Sequence, residues 1–170
     1  LLPQGLQYCS IIDPMVGKGD LLNAVVAKAT KNVQMLGVEI DKPVAVACQK
    51  RLPQAKIICE DAFQSKAVIT EKGWDLVITN PPYVRYQLQN DDNSVMPTGN
   101  AIRDNLFTLL NQLSYLDAEE KQLLLQITQN YSGLSDMAVP SWILCASLVK
   151  AGGILAMVVP ETWLNREYAK

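Results

Sequence analysis

Residues 6–41 of the 170-residue chain read LQYCSIIDPMVGKGDLLNAVVAKATKNVQMLGVEID and contain apolar segments of two different spacings. Apolar and β-branched residues are nearly continuous at 6–12 and again at 33–40, which predicts two buried strands. Between them, residues 20–31 carry their apolar side chains at helical spacing. A strand, a helix and a second strand in this order predict two parallel strands joined by a right-handed crossover.

The same alternation continues along the chain. Further strands are predicted at residues 55–59, 74–79 and 154–159. Helices are predicted from Asp41, at 63–69, from Ile102 to Leu113, from Asp117, and at 139–150. Gly152 and Gly153 are expected to end the last of these helices. A polar segment at 87–100 predicts a long surface loop. This pattern predicts an α/β fold with a Rossmann-like, doubly wound, mostly parallel sheet and helices on both faces. Because the chain ends soon after the fifth strand, we expect the sheet to be truncated.

The composition excludes several classes of enzyme. The chain has no histidine, which excludes Ser-His-Asp triads, histidine-ligated zinc and imidazole acid–base catalysis. Its four cysteines form no C-x-x-C pair, so we expect reduced structural cysteines and no metal site. The formal net charge is only −2, so the charge predicts no nucleic-acid surface on these residues. If the protein acts on nucleic acid, we expect most phosphate contacts to lie outside residues 1–170.

Length and hydropathy bound the organisation of the chain. With 49% hydrophobic residues, residues 1–170 can bury an ordinary core and are expected to form one domain. Neither a membrane-spanning run nor a signal peptide is recognisable, which predicts a cytoplasmic protein without membrane contact. The first residue is leucine rather than methionine, so we expect a fragment of a longer protein.

The turn after the first strand, DPMVGKGD at residues 13–20, is the first candidate site. Gly17 and Gly19 let the backbone approach a ligand, and the next helix begins with unpaired N–H groups. A tight structural turn explains these glycines equally well. A phosphate-binding P-loop does not fit, because its first glycine is missing and neither serine nor threonine follows Lys18.

Two acidic residues stand at the ends of the second and third predicted strands. In doubly wound folds a carboxylate at the position of Glu39 accepts hydrogen bonds from the hydroxyls of a ribose. Asp61 can accept from the exocyclic amine of an adenine ring, with Ala62 and Phe63 as apolar neighbours. Since the ends of parallel strands share one edge of the sheet, these carboxylates and Asp13 are expected to lie together.

The tetrapeptide Asn80-Pro81-Pro82-Tyr83 ends the fourth predicted strand and is the most specific signal in the chain. Two consecutive prolines make a stiff turn, which aims the side-chain oxygen of Asn80 and the carbonyl of Pro81 at one point. Two convergent acceptors suit a planar NH2 group, because binding both N–H bonds lets the nitrogen become tetrahedral as it attacks a methyl group. Tyr83 offers an aromatic face on which a planar substrate can stack.

These residues, in this order, resemble the class I S-adenosylmethionine-dependent methyltransferases, and more narrowly the N6-adenine DNA methyltransferases of restriction-modification systems. The resemblance implies a cofactor site for S-adenosylmethionine formed by Asp13, Pro14, Gly17 and Gly19 for the methionine part, Glu39 and Ile40 for the ribose, and Asp61 and Ala62 for the adenine. It implies catalysis by Asn80, Pro81, Pro82 and Tyr83 on an adenine flipped out of double-stranded DNA.

The sequence departs from this family at several positions, and alternative functions stay open. Met15, Val16 and Lys18 stand where the family often has small residues, and a target-recognition domain is absent from these residues. Related tetrapeptides occur in enzymes that methylate a glutamine of release factors or an amine of ribosomal RNA. A catalytically silent specificity or scaffold subunit is a further alternative. A restriction endonuclease, fused or separate, is a candidate partner.

Overall fold

The computed structural model describes residues 9–26, 33–82, 99–131 and 137–161. The elements, in chain order, are β1 (Ser10–Asp13), α1 (Asp20–Val26), β2 (Gln34–Glu39), α2 (Lys42–Arg51), β3 (Lys56–Cys59), a 3-10 turn (Lys66–Val68), β4 (Trp74–Thr79), α3 (Gly99–Gln112), α4 (Ala118–Asn130), α5 (Ala138–Leu148) and β5 (Val149–Met157). Of the first predicted strand, residues 6–8 lie outside the described part, as do residues 27–31 of the first predicted helix.

The five strands form one sheet in the order β3-β2-β1-β4-β5, and every neighbouring pair is parallel. The chain runs outward from β1 to β3 and then returns to the other side of β1 with β4. In open parallel sheets, ligands bind outside the carboxyl ends of the strands at the point where the strand order reverses. Here that point lies between β1 and β4.

Helices cover both faces of the sheet, as the sequence predicts. Successive residues of β1 point to opposite faces, so Ile11 packs in one apolar cluster and Ile12 in the other. The cluster around Ile11 includes residues of α1 and α2, such as Leu22 and Cys48. The cluster around Ile12 includes residues of α3, α4 and α5. The predicted α/β class is therefore confirmed, with two helices on one face and three on the other among the described residues.

Asp75 of β4 links β4 to β1 and β5 near the amino ends of these strands. Its Oδ2 atom accepts hydrogen bonds from the backbone N–H groups of Cys9 and Ser10, each at 2.8 Å. Its Oδ1 atom forms an ion pair with Lys150 of β5. Burial disfavours the charged carboxylate, but these hydrogen bonds outweigh that effect and lower the pKa of Asp75. One carboxylate thus links the amino ends of these strands, while the carboxyl ends of the strands stay open for a ligand.

The predicted helix at 63–69 is wrong over most of its length. Only Lys66–Val68 is helical, as a 3-10 turn. The backbone carbonyl of Asp61 accepts from the N–H groups of Gln64 and Ser65, and its side chain accepts from that of Phe63. This single turn does not continue as a helix, because Ser65 has an extended backbone (φ −70°, ψ 119°) and its side chain accepts the N–H of Ala67 to cap the 3-10 turn.

The predicted end of the last helix is also wrong. Helix α5 ends at Leu148, and β5 begins at the next residue, so Gly152 and Gly153 lie inside a strand. The pairing of β4 with β5 shifts register between Trp74 and Leu76, close to these glycines. Glycine inside a strand often marks such an irregularity. The fifth strand therefore starts earlier than the predicted residue 154.

Cap signals in the sequence are confirmed. Asp41 caps α2, with its side chain accepting from the N–H of Val44 at 3.0 Å. Asp117 and Glu120 form a reciprocal capping box at the start of α4.

Most of the predicted loop at 87–100 lies outside the described residues, and α3 already begins at Gly99. Among the helices that the structure describes, none is long and apolar enough to cross a membrane.

The two glycines of the turn after β1 differ in what surrounds them. Gly17 and Gly19 both have positive φ, at 53° and 82°. A Cβ atom on Gly19 would lie 2.6 Å from Cδ1 of Leu52 and 2.8 Å from Sγ of Cys48, both fully buried, whereas a Cβ on Gly17 would meet no atom within 4 Å. Gly19 therefore allows close packing of the turn against α2, while Gly17 leaves open space above the turn.

This difference predicts unequal costs of substitution. Gly19→Ala should lower the free energy of unfolding by about 2–4 kcal/mol, because it combines a left-handed backbone with overpacking. Gly17→Ala adds only the backbone strain and should cost about 1–2 kcal/mol. Urea denaturation of both variants measures the two costs. Equal losses would show that Leu52 and Cys48 yield to the new methyl group.

Candidate active site at the carboxyl edge of the sheet

A cavity of about 300 Å³ lies at the carboxyl ends of β1 to β4. Its volume is within the range of small-molecule sites. It is lined by residues that follow or end these four strands, and by one residue that precedes α5: Pro14, Met15, Gly17, Val38, Glu39, Ile40, Glu60, Asp61, Ala62, Phe63, Asn80, Pro82 and Met137. The structure therefore brings together most of the residues predicted from the sequence.

Glu39 connects the turn after β1 to the end of β2. Its Oε2 atom accepts the backbone N–H of Gly17 at 3.0 Å, and its Oε1 atom accepts that of Asp41 at 2.9 Å. A carboxylate has about four acceptor positions, so two backbone bonds leave capacity for ligand hydroxyls. The side chain is only partly buried and borders the cavity. Glu39 is thus fixed in orientation and still able to accept from a ligand.

Asp61 occupies the corresponding position after β3. Its Oδ1 atom accepts from the N–H of Phe63 at 2.9 Å, and Gln64 donates to Oδ2 at 3.3 Å. Partial burial raises the pKa of Asp61. The neighbouring Ala62 and Phe63 are buried at 6% and 3% exposure and also line the cavity, so an acceptor and an apolar wall lie side by side.

Two residues of the predicted cofactor turn do not line the cavity. Asp13 is 1% exposed and accepts the N–H of Met15 on its Oδ1 atom at 3.1 Å. Gly19 is buried against α2. Pro14, Met15 and Gly17 form the turn's surface towards the cavity. Asp13 and Gly19 lie beneath this surface and hold its shape.

The NPP portion of the tetrapeptide follows β4 directly. Asn80 is exposed and lines the cavity together with Pro82, while Pro81 between them is buried. The N–H of Val158 donates to the carbonyl of Thr79 at 2.9 Å, which anchors the strand end just before Asn80. Tyr83 lies outside the described residues, so its predicted stacking role stays a prediction.

The sequence reasoning did not assign four of the lining residues. Met15, Val38 and Glu60 each adjoin a predicted site residue, namely Pro14, Glu39 and Asp61, so including one neighbour on each side of those residues would have found them. Met137 carries no local signal, because it reaches the cavity only through the packing of α5 against the sheet. In the described part of the chain, no group of three potential metal ligands occurs, and the four cysteines are free.

Asp13 should make stability depend on pH near neutrality. Burial raises the pKa of Asp13 from 3.8 to about 7. Because the folded chain binds this proton more tightly than the unfolded chain, the stabilisation is complete below the unfolded pKa and is lost as the pH rises through about 7.

Asp13→Asn keeps an acceptor for Met15 but does not titrate. The unfolding free energy of the unmodified protein, minus that of the variant, should fall by about 3–4 kcal/mol between about pH 4 and pH 8. Urea titrations of both proteins over this range measure the difference. A difference that stays constant with pH would contradict the protonation of Asp13 in the folded state.

Comparisons with known proteins agree with this geometry. The family model described as Eco57I restriction-modification methylase matches residues 39–170. Among solved structures, the type I restriction-modification system methyltransferase subunit from Streptococcus thermophilus superposes with a TM-score of 0.65 at 17% identity, over 96% of this chain and 31% of that chain. This chain thus spans under a third of that subunit. No curated protein matches it.

Two further methyltransferase structures are similar at a lower level. The plantazolicin methyltransferase BamL, in complex with a triazolic desmethylPZN analog and SAH, has a TM-score of 0.46 at 13% identity, over 85% of this chain and 55% of that chain. An SAM-dependent O-methyltransferase from Thermotoga maritima has a TM-score of 0.37 at 23% identity, over 45% of this chain and 30% of that chain. The family model covers well over half of the sequence. The chain therefore belongs to the Eco57I restriction-modification methylase family.

Proposed function

We propose that residues 1–170 form a catalytic domain that binds S-adenosylmethionine and transfers its methyl group to the N6 amine of adenine in double-stranded DNA. The observation that carries this proposal is the single cavity that joins Glu39, Asp61 and Asn80 across the reversal point of the sheet. Membership of a restriction-modification methylase family supports DNA as the substrate. A separate target-recognition domain and a restriction endonuclease, fused or separate, stay predictions about the longer protein.

The residues at β1, β2 and β3 fit a nucleoside-bearing cofactor. Glu39 offers acceptor positions for the two ribose hydroxyls, beside the apolar side chain of Ile40. Asp61 offers an acceptor for the adenine amine, and Ala62 and Phe63 offer a surface for the ring. The open space over Gly17 lets the ligand approach the backbone of the turn. Pro14 belongs to the same turn and lines the cavity, and the buried residues Asp13 and Gly19 support the turn from beneath.

Asn80 and Pro81 supply the chemistry of the transfer in this proposal. When bound, S-adenosylmethionine supplies an electrophilic methyl group on a sulfonium sulfur. The Asn80 side-chain oxygen and the Pro81 carbonyl accept the two N–H bonds of the target amine, which favours a nucleophilic nitrogen. Pro82 stiffens the turn that holds both acceptors. Tyr83 stacks on the flipped base, and this stacking contributes about 1–3 kcal/mol to the free energy of binding the base.

The first test concerns the ribose. Glu39→Ala should weaken binding of S-adenosylhomocysteine about 10- to 100-fold, since hydrogen bonds to a charged group contribute about 1.5–3 kcal/mol. Glu60→Ala removes another carboxylate from the same cavity and is the matched control, with little change expected. Titration calorimetry on the full-length protein measures both. Equal affinities for the two variants would remove Glu39 from the cofactor site.

The second test concerns the transferred group. Asn80→Ala should lower single-turnover methylation by about a hundredfold or more, because one preorganised polar group is lost from the transition state. Affinity for S-adenosylhomocysteine should stay unchanged, because Asn80 interacts with the target and not with the nucleoside. The assay uses saturating cofactor and double-stranded DNA, with the methylated nucleosides separated and identified.

The identity of the product decides between the alternatives. N6-methyladenine supports the proposal. Methylation of ribosomal RNA or of a release-factor glutamine, with no product in DNA, would contradict the proposed substrate while leaving the chemistry of Asn80 intact. Cofactor binding without any transfer would favour a catalytically silent subunit.

A further inference from the structure

Two methionine side chains, Met15 and Met137, line the same cavity although they come from distant parts of the chain. Met15 follows β1, and Met137 immediately precedes α5. The proposed chemistry of the preceding section assigns neither of them a role.

Ser141 of α5 contacts the side chain of Met15 and the backbone of Met137. Its hydroxyl donates to the backbone carbonyl of Met137 at 2.6 Å, and its oxygen lies 3.3 Å from Sδ of Met15. Ser141 is 0% exposed, so this contact is shielded from water. Methionine has three rotatable bonds and a polarizable sulfur, so its side chain takes a defined position only where its neighbours fix it. Ser141 is the polar neighbour that contacts the Met15 sulfur, and the apolar cluster around Ile12 packs against the same side chain.

Strand order places Met15 relative to the carboxylates of the cavity. Because the strands run β3-β2-β1-β4, Asp61 and Glu39 lie at the carboxyl ends of β3 and β2, and Met15 and Asn80 follow the neighbouring strands β1 and β4. The three carboxylates among the lining residues, Glu39, Glu60 and Asp61, all follow or end β2 and β3. Among the lining residues that the structure describes, those that follow β1 and β4 are apolar apart from Asn80, and none of them is a carboxylate.

We propose that Ser141 is a positioning residue that fixes the side chain of Met15, and that Met15 and Met137 together form a thioether wall for the aliphatic, sulfonium-bearing half of the cofactor. This inference rests on the proposed function, because it assumes the cofactor named there. The wall is apolar enough to pack against methylene groups, and its sulfur atoms are polarizable enough to lie beside a positive centre. Without Ser141, the Met15 side chain regains rotamer freedom, and ligand binding must then restrict it.

Two serines of α5 provide a matched test. Ser147 is also 0% exposed and donates to the carbonyl of Leu144 at 2.7 Å, but it does not line or contact the cavity. In the full-length protein, Ser141→Ala should weaken binding of S-adenosylhomocysteine about five- to tenfold, as expected for loss of one ordered contact of about 1 kcal/mol. Ser147→Ala should leave the affinity unchanged. Met15→Leu, which removes the sulfur, should weaken binding to a similar extent.

Oxidation provides a readout independent of affinity and turnover. Hydrogen peroxide transfers one oxygen atom to a methionine sulfur, which gives a sulfoxide and water. S-adenosylhomocysteine should slow this reaction at Met15 and Met137 and leave it unchanged at Met157, the last residue of β5, which does not line the cavity. Peptide mass spectrometry of the full-length protein follows the three sites separately.

The outcomes separate this inference from the proposed function. If the unmodified protein does not bind S-adenosylhomocysteine, the proposed cofactor is wrong. If it binds, but Ser141→Ala and Met15→Leu bind equally well and Met15 is not protected from peroxide, the thioether wall is wrong and the proposed function stands. Should Ser141→Ala fail to fold, Met15→Leu and the protection pattern decide the matter.

Discussion

The carboxylate of Glu39 joins the two parts of the chain on which the candidate site is built. It accepts one backbone N–H from the turn after β1, at Gly17, and one from the start of α2, at Asp41. A second link, from the N–H of Val16 to the carbonyl of Val38 at 2.8 Å, runs parallel to it. Because β1 and β2 are neighbours in the sheet, these bonds fix one wall of the cavity before any ligand binds.

The rest of the site follows from the order of the strands. Placing β4 beside β1 sets Asn80 next to the turn that Glu39 holds, and placing β3 beside β2 sets Asp61 on its far side. Support comes from buried residues that do not face the cavity, namely Asp13 beneath Met15, and Ser141 from α5. The segment after β4 thus does more than cover a face of the sheet, because Met137, which immediately precedes α5, also lines the cavity.

Much of this arrangement could be predicted from the sequence, because its signals are local. Apolar runs predict the strands, and Glu39, Asp61 and Asn80 follow strands that a parallel sheet aligns at one edge. The differences have two physical causes, a local turn after Asp61 in place of the predicted helix at 63–69, and tertiary packing elsewhere. Gly152 and Gly153 look like a helix stop, yet pairing with β4 draws them into a strand. The burial of Asp13 beneath the turn is not visible in the sequence, and Met137 reaches the cavity only through helix packing.

The central claim is that Glu39 binds the ligand while it still holds the turn after β1. A crystal structure of the full-length protein with S-adenosylhomocysteine tests this most directly. We expect the ribose hydroxyls within hydrogen-bond distance of the Glu39 carboxylate, with the bonds from Gly17 and Asp41 retained. A ligand bound away from Glu39, or a Glu39 side chain that releases Gly17 in order to reach the ribose, would contradict the account.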